Sequence, residues 1–200
     1  MNFIRQTYQL QNRYFAMRHG HSLANQQRII VSDPANGRGG YGLSDLGRRQ
    51  VADSLAGNTA LDESTLIVSS DFRRALESAR IAHEHLGGDS GPLVDERLRE
   101  RYFGSLELGP DLRYAQVWRE DASNPDSEPF GAESANRVTR RVTALIVELE
   151  ATYRDRNILL VSHGDALQLL QAAFQKQAAS RHRALDHLET AEIRLLILAR

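Results

Sequence analysis

The sequence predicts an α/β fold, a three-layer sandwich in which helices flank a mostly parallel central sheet. Short apolar segments alternate with segments of helical periodicity along the 200 residues. In the apolar segments, of which 157–162 is the clearest, consecutive residues are apolar, and this pattern is typical of strands buried on both faces. Helices between such strands favour parallel connections, so we expect the sheet to be mostly parallel.

The beginning of the chain is predicted to contain one strand followed by a glycine-rich loop. The strand is expected at 14–17, and residues 1–12 are expected to extend it or to lie across the surface. A short apolar run at 29–31 precedes segment 32–40, whose proline and glycines predict an irregular loop.

A helix is predicted from Ser44 to about Leu55. Serine is a residue type that caps helix N-termini, and Gly57 stands where a C-terminal cap belongs. Leu46 and Val51 are expected to share the buried face of this helix with Leu55.

The rest of the chain continues the alternation of strands and helices. Further strands are predicted at 65–69, 157–162 and 193–198, and further helices at 72–86, at 133–153 and from about 165 to 177. The helix at 72–86 is expected to end at Gly87 and Gly88. Segment 121–131 is acidic and contains serine and proline, so we expect an exposed loop there.

Composition limits the classes of protein to which the chain can belong. With 200 residues, 41% of them apolar, the chain is expected to form one domain spanning 1–200. The net charge of -1 gives no global basic field, which argues against nucleic acid or a membrane surface as the partner. The absence of cysteine excludes a thiolate nucleophile and cysteine-based metal sites. Because no apolar run is long enough to span a membrane, the expected location is the cytoplasm.

Three predicted strands end in residues that suit anion binding. The first ends at Arg18-His19-Gly20, the second at Ser69-Ser70 with Arg73 and Arg74 just beyond it, and the third at Ser162-His163-Gly164. Ligands of parallel α/β sheets bind outside the carboxyl ends of the strands. If these strands are neighbours, two histidines and at least two arginines converge on one crevice.

Two further motifs accompany the three strand ends. Asn25 follows the first strand end, and Glu100 lies in Leu98-Arg99-Glu100. Together the five motifs, which span about 15–171, resemble those of the histidine phosphatase superfamily in its phosphoglycerate mutase-like branch.

The resemblance implies a metal-independent phosphomonoesterase that acts on a small phosphorylated metabolite through a phosphohistidine intermediate. His19 is the implied nucleophile and Glu100 the implied general acid, and no metal ion or other cofactor is implied. The implied ligands of the phosphoryl oxygens are Arg18, Asn25, Arg74 and His163. General chemistry agrees, because a neutral imidazole is nucleophilic near neutral pH and guanidinium groups bind phosphate oxygens in a fork.

Some of these roles have alternatives within the sequence. Arg74 could instead be a solvated charge on the helix surface, as Arg73 and Arg80 are expected to be; the position within the motif favours Arg74 for the site. Glu96 and Glu107 lie near Glu100 and are alternative carboxylates, and Glu100 could itself be a solvated loop carboxylate.

His21 stands where the family commonly carries glutamate or glutamine. A zinc site formed by His19, His21 and His163 is therefore an alternative, but two arginines in the same crevice would repel a cation. The other histidines, which are expected to be surface or packing residues, are His83, His85, His182 and His187.

The identity of the enzyme within the superfamily is less constrained by the sequence. Glu100 and His163 are 63 positions apart, an interval that is short for a mutase and favours a phosphatase. Arg101 resembles a mutase residue, but Phe103 stands where mutases carry tyrosine. A phosphoglycerate mutase is the rival enzyme, and an inactive phospho-ligand or protein-binding module is the alternative from another class. Segments 32–40 and 108–131 are predicted to shape the site around the non-phosphate end of the substrate.

Overall fold

A five-stranded sheet forms the middle layer of the protein in the computed structural model, which describes Ile4, Thr7 and residues 9–200. The strands are β1 Arg13–Arg18, β2 Leu66–Ser69, β3 Leu93–Val94, β4 Asn157–Ser162 and β5 Ile193–Leu195. Their order is β3-β2-β4-β1-β5, and all neighbours are parallel except β5, which runs antiparallel to β1. The prediction of a mostly parallel sheet is confirmed. Half of the residues covered by the prediction for 1–12 lie outside the described residues.

Between residues 9 and 200, seven α-helices and several short turns of 3₁₀-helix connect the strands. The helices are α1 Leu23–Gln27, α2 Pro34–Gly37, α3 Asp45–Ala56, α4 Arg73–Leu86, α5 Tyr114–Ser123, α6 Ala135–Thr152 and α7 Gly164–Phe174. A 3₁₀-helix at Ala179–Ala184 follows α7 and leads towards β5. None of the described helices is long and apolar enough to cross a membrane.

Each face of the sheet is covered by one pair of long helices. On one face, α3 and α4 pack against side chains such as Met17 and Val161. On the other face, α6 and α7 pack against Ala16 and Leu160. Because successive strand residues point to opposite faces, β1 and β4 are buried on both sides, which explains their continuous apolar sequences.

The order of the strands brings the three polar strand ends together. β4 lies between β2 and β1, and Ser69 pairs with Val161 while Arg18 pairs with Ser162. The carboxyl ends of these parallel strands therefore meet at one edge of the sheet, and the predicted convergence is confirmed.

The predicted helix caps are present, but the buried face of α3 differs from the prediction. The Ser44 side chain accepts a hydrogen bond from the Gly47 backbone N–H at the start of α3, and Gly87 ends α4 with a left-handed φ of 77°. Leu46 is 46% exposed. The prediction that Leu46 is buried was wrong, because Gly47 occupies the position that packs against the loop at His21.

The predictions for two irregular segments and for the ends of two regular elements were also wrong. Segment 32–40 contains α2, because Asp33 caps its N-terminus and Pro34 suits the first helical position. Segment 121–131 begins inside α5, and Asp121 is fully buried rather than exposed. The last strand and α7 end earlier than predicted, at Leu195 and Phe174.

Candidate active site

A cavity of about 360 Å³ lies at the carboxyl ends of β1 and β4. Most of the predicted site residues line it, namely Arg18, His19, Asn25, Arg74 and Glu100. His163 is fully buried, and its ring meets that of His19 edge-on, with the two centroids 5.1 Å apart. All six predicted residues are therefore within or next to one cavity.

His19 is buried and held in a form that suits a nucleophile. Its Nδ1 lies 2.8 Å from the Gly20 carbonyl oxygen. Because a carbonyl only accepts hydrogen bonds, Nδ1 carries the proton and Nε2 carries the lone pair. Burial, together with the charges of Arg74 and Arg18, lowers the pKa of His19 well below its ordinary value. The imidazole is therefore neutral at neutral pH.

Arg74 contacts His19 from the first turn of α4. Its Nε donates to His19 Nε2 at 3.0 Å, and its Nη2 donates to the Val31 carbonyl oxygen at 2.9 Å. Arg74 is only 4% exposed, and its Nη1 has no hydrogen-bond partner among the described residues. A buried guanidinium N–H without a partner is costly unless a ligand accepts its hydrogen bond.

Arg18 presents a second guanidinium to the cavity from the end of β1. Its Nη1 lies 2.6 Å from His187 Nε2 and donates to the Leu188 carbonyl oxygen at 2.9 Å. Its Nε is buried and has no hydrogen-bond partner in the described part of the chain. The cavity is thus bordered by two arginines with unused donors, an arrangement that suits a phosphoryl group.

Asn25 has its side-chain amide oriented by the start of α1. Its Oδ1 accepts hydrogen bonds from the backbone N–H and the hydroxyl of Ser22, at 3.0 and 2.9 Å. This capping box fixes the oxygen, so the Nδ2 group is left as a donor on the cavity wall.

His163 precedes α7 and is hydrogen-bonded to Ser70. Its Nε2 lies 2.9 Å from Ser70 Oγ, which also accepts a hydrogen bond from the Phe72 backbone N–H. Burial and the Arg74 charge lower the pKa of His163 well below its ordinary value, so the ring is neutral. If the Ser70 hydroxyl donates to Nε2, the buried Nδ1 carries a hydrogen that no described residue accepts.

Glu100 is a half-buried carboxyl group on the cavity wall. Burial, with a smaller contribution from the negative charge of Asp165, raises its pKa. A raised pKa favours the protonated form that a general acid needs. The two alternative carboxylates are engaged elsewhere, because Glu96 pairs with Arg99 at the surface and Glu107 accepts hydrogen bonds from Ser32.

Comparison with known proteins gives the family. Residues 14–200 match the family model of the histidine phosphatase superfamily (branch 1). The chain belongs to this superfamily.

Several relatives of this histidine phosphatase are named as phosphatases. The glucosyl-3-phosphoglycerate phosphatase of Mycobacterium tuberculosis (strain CDC 1551 / Oshkosh) is 33% identical over 199 residues, which cover 90% of this chain and 82% of the relative. The adenosylcobalamin/alpha-ribazole phosphatase of Salmonella typhimurium is 28% identical and covers 80% of this chain and 78% of the relative. A solved mycobacterial glucosyl-3-phosphoglycerate phosphatase, in complex with VO3, has a TM-score of 0.74 at 30% identity and covers 94% of this chain and 99% of that chain. The predicted family, fold class and phosphatase activity are confirmed, whereas the roles of the individual side chains stay predictions.

The phosphatase cavity also contains residues that the sequence analysis missed. Tyr114 and Trp118 of α5 line one wall with stacked rings, their centroids 5.5 Å apart and their planes at 13°. The Cζ of Arg183 lies 3.8 Å from the centre of the Trp118 ring. Aromatic residues four positions apart are a signal of a shared helix face, but no local pattern connects Arg183 or His187 to the site. His187, which was predicted to be a surface or packing residue, also lines the cavity.

Arg101 is buried in ion pairs, whereas its resemblance to a mutase residue suggests a position in the site. Its guanidinium is fully buried and forms ion pairs with Asp121 and Asp165. Asp165 also accepts hydrogen bonds from the Trp118 indole N–H at 2.9 and 3.0 Å. Arg101 therefore supports the cavity wall, and it does not line the cavity.

The two segments predicted to shape the substrate site contribute unequally. Segment 108–131 supplies Asp111, Leu112 and α5 residues to the cavity wall. Segment 32–40, all of which the structure describes, supplies no lining residue, so that part of the prediction was wrong.

The zinc alternative has no geometric support in the described part of the chain. His21 Nδ1 lies 2.9 Å from Ser44 Oγ. Among Ile4, Thr7 and residues 9–200, no group of three or more histidine or carboxylate side chains is arranged to hold a metal ion.

Proposed function

We propose that this phosphatase hydrolyses a small phosphate monoester in two steps through a phosphohistidine on His19. The observation that carries the proposal is the neutral, buried His19, whose Nε2 lone pair is next to two arginines with unpartnered N–H groups. Phosphoryl transfer requires mainly a positioned nucleophile and positive charge around the phosphoryl oxygens.

In the first step a phosphoryl oxygen replaces His19 Nε2 as the hydrogen-bond acceptor of Arg74 Nε–H. The lone pair of His19 Nε2 is then free to attack phosphorus. Arg18 Nε and Asn25 Nδ2 donate to the other oxygens, and His163 Nδ1 adds a donor next to His19. The new N–P bond forms as the ester P–O bond breaks, and the electron pair of that bond goes to the departing oxygen.

Glu100 supplies and then recovers one proton. In the first step its carboxyl group protonates the departing alkoxide oxygen, and the alcohol leaves. In the second step water attacks phosphorus, the Glu100 carboxylate takes a proton from this water, and the N–P bond breaks with its electron pair returning to His19 Nε2. Inorganic phosphate leaves, and Glu100 is again protonated for the next cycle.

The substrate is proposed to be a small phosphorylated metabolite whose remainder contacts α5. The cavity volume of about 360 Å³ fits a small molecule. The stacked Tyr114 and Trp118 offer an apolar face, and Arg183 and Asp165 offer polar groups beside it. The named activities of the relatives, which act on phosphorylated small molecules, support the same class.

The mutase alternative loses its main support from the sequence. Arg101, the residue that resembles those of mutases, is neutralised by Asp121 and Asp165 and cannot hold a second phosphate. We therefore retain the phosphatase as the proposed function.

The proposal is tested by incubating the protein with p-nitrophenyl phosphate and with 3-phosphoglycerate. We expect inorganic phosphate to be released by the wild type, with and without a chelator, and not by His19→Ala. Isomerisation of 3-phosphoglycerate without phosphate release would indicate a mutase. Binding of inorganic phosphate without turnover of any of a panel of phosphate monoesters would indicate an inactive binding module.

A further inference from the structure

The Arg18 guanidinium is anchored on one edge and open on the other. A guanidinium Nη group has two hydrogens, and those of Arg18 Nη1 are directed at His187 Nε2, 2.6 Å away, and at the Leu188 carbonyl oxygen, 2.9 Å away. Both hydrogens are used, so Nη1 has none left for a ligand. The remaining edge, formed by Nε and Nη2, is the fork that can bind two phosphoryl oxygens.

Gln168 sets the hydrogen positions on His187. Gln168 is fully buried in α7, and its Nε2 donates to the carbonyl oxygens of His182 and Leu185, at 2.9 and 2.8 Å. Because carbonyls only accept, these contacts identify the amide nitrogen and leave Oε1 as an acceptor. Oε1 lies 3.2 Å from His187 Nδ1, so Nδ1 carries the proton of the neutral ring. The Nε2 lone pair then faces Arg18.

We propose that His187 is a positioning residue that fixes the Arg18 guanidinium for phosphate, and that Gln168 keeps His187 in its accepting tautomer. Hydrogen bonds through Gln168 and His187 therefore connect the backbone carbonyls of His182 and Leu185 to the Arg18 guanidinium, whose Nε and Nη2 edge is the one proposed to bind phosphate. This inference rests on the proposed function, because it assigns Arg18 to the phosphoryl group.

The charges around His187 make its accepting form dependent on pH. Arg18 approaches from β1, Arg183 from the 3₁₀-helix after α7, Asp165 from α7 and Glu189 from the segment of His187 itself, while Arg194 of β5 donates to the His187 carbonyl oxygen. Burial and the two nearby arginines lower the pKa of His187 from its ordinary value, against the opposite effect of the two carboxylates. His187 is therefore neutral at neutral pH. When it is protonated in acid, its Nε2–H faces the Arg18 guanidinium, and the acceptor is replaced by a second cation.

Two variants distinguish the effect of the His187 Nε2 acceptor from the effect of the shape of the His187 ring. His187→Phe fills a similar space without an acceptor, and His187→Gln places an amide oxygen near the position of Nε2. His85→Phe, at an exposed position on α4, is the matched control. The measurements are the affinity for inorganic phosphate by calorimetry, kcat/KM on p-nitrophenyl phosphate, and the thermal midpoint.

We expect His187→Phe to lose about 10- to 100-fold in kcat/KM, since small misplacements of a positioned group have effects of this size. Its phosphate affinity is expected to fall as well, whereas His187→Gln recovers most of both quantities and His85→Phe equals the wild type. The ratio of the phosphate Kd of the wild type to that of His187→Gln should rise as the pH falls through the pKa of His187. Ionisation of phosphate and of Glu100 is common to both proteins and cancels in this ratio.

Two results would overturn the inference. The first is wild-type phosphate affinity in a folded His187→Phe. The second is a Kd ratio between the wild type and His187→Gln that does not change with pH, and this readout applies even where His187→Phe fails to fold. The proposed function is tested separately, because a wild type that binds phosphate without hydrolysing esters contradicts the phosphatase proposal while leaving the role of His187 intact.

Discussion

Arg74→Lys tests whether the geometry of the Arg74 guanidinium, rather than its charge alone, supports phosphoryl transfer. In the wild type, Nε contacts His19, Nη2 anchors the group on Val31, and Nη1 remains for the ligand. Lysine keeps the positive charge but offers a single nitrogen, which cannot fill these three positions together.

The expected loss follows from the number of donors removed. Losing one preorganised donor to a transition-state oxygen lowers kcat by about 10²- to 10³-fold, which corresponds to about 2.7–4 kcal/mol. Arg74 is proposed to supply such a donor from an almost fully buried position, so solvent cannot replace it. We therefore expect kcat/KM on p-nitrophenyl phosphate to fall by about 10²- to 10³-fold in Arg74→Lys.

A second substitution, Arg74→Met, tests the effect of the charge on His19. Burial is the larger cause of the lowered pKa of His19, and the Arg74 charge is the next. Removing this charge raises the pKa, so His19 stays protonated, and not nucleophilic, up to a higher pH. The acid limb of the profile of kcat/KM against pH should therefore move to higher pH in Arg74→Met.

Arg73→Lys is the matched control for Arg74→Lys, and Arg73→Met is the matched control for Arg74→Met. Arg73 is the preceding residue of the same helix, its side chain is 53% exposed, and its Nε lies 2.8 Å from Glu77 Oε1. Such surface ion pairs contribute little, so kcat/KM should stay near the wild-type value. Equal, small effects of Arg73→Lys and Arg74→Lys in folded proteins would refute the assignment of Arg74 to the site.

Three further predictions concern the general acid, the buried ion pair and a close backbone contact. Glu100→Gln should lower kcat/KM on an alkyl phosphate by about 10²- to 10⁴-fold and on p-nitrophenyl phosphate much less, because kcat/KM reports the first step and nitrophenolate departs without a proton; initial rates at low substrate concentration measure this. Arg101→Met should lower the free energy of unfolding by about 3–5 kcal/mol in urea titrations, since it leaves the buried Asp121 carboxylate without its partner. Gly20→Ala should lower the thermal midpoint and the activity, because a Cβ there would lie 2.4 Å from the Gly47 carbonyl oxygen.

Each of these predictions has a control in the chain. Glu96→Gln removes an exposed carboxylate near Glu100 and should retain the wild-type ratio of the two substrates. Adding Asp121→Asn to Arg101→Met should recover part of the lost stability. Gly39→Ala should leave the thermal midpoint unchanged, because no described heavy atom beyond its chain neighbours lies within 4 Å of the added Cβ. Equal losses of kcat/KM on both substrates in Glu100→Gln, or an unchanged stability of Arg101→Met, would contradict the corresponding assignment.

The sequence predicts the edge of the sheet that borders the cavity well because the signals there are local. β1 and β4 are apolar on consecutive residues, and each ends directly in a histidine followed by glycine. The carboxyl ends of neighbouring parallel strands lie at the same edge of a sheet, so the prediction assumed only that β1 and β4 are neighbours. The observed strand order confirms this assumption. The caps at Ser44 and Gly87 are local signals of the same kind.

The parts that the sequence did not predict depend on contacts between distant residues. Asp121 lies in an acidic segment that is typical of an exposed loop, and its burial depends on Arg101, which is 20 positions away. His187 contacts Arg18 across 169 positions, and this contact exists because the chain returns past the end of β1 before it forms β5. Neither hydrophobic periodicity nor a helix-capping pattern in the sequence indicates that the chain passes the end of β1 a second time.

The most direct test of the account is to identify the phosphorylated residue during turnover. The wild type and His19→Ala would be mixed with p-nitrophenyl phosphate, quenched under alkaline denaturing conditions that preserve phosphohistidine, and analysed by peptide mass spectrometry. We expect the wild type to carry an acid-labile phosphoryl group on His19 and His19→Ala to carry none. Equal labelling of both proteins, or a phosphoryl group on another residue of the wild type, would contradict the assignment of His19 as the nucleophile.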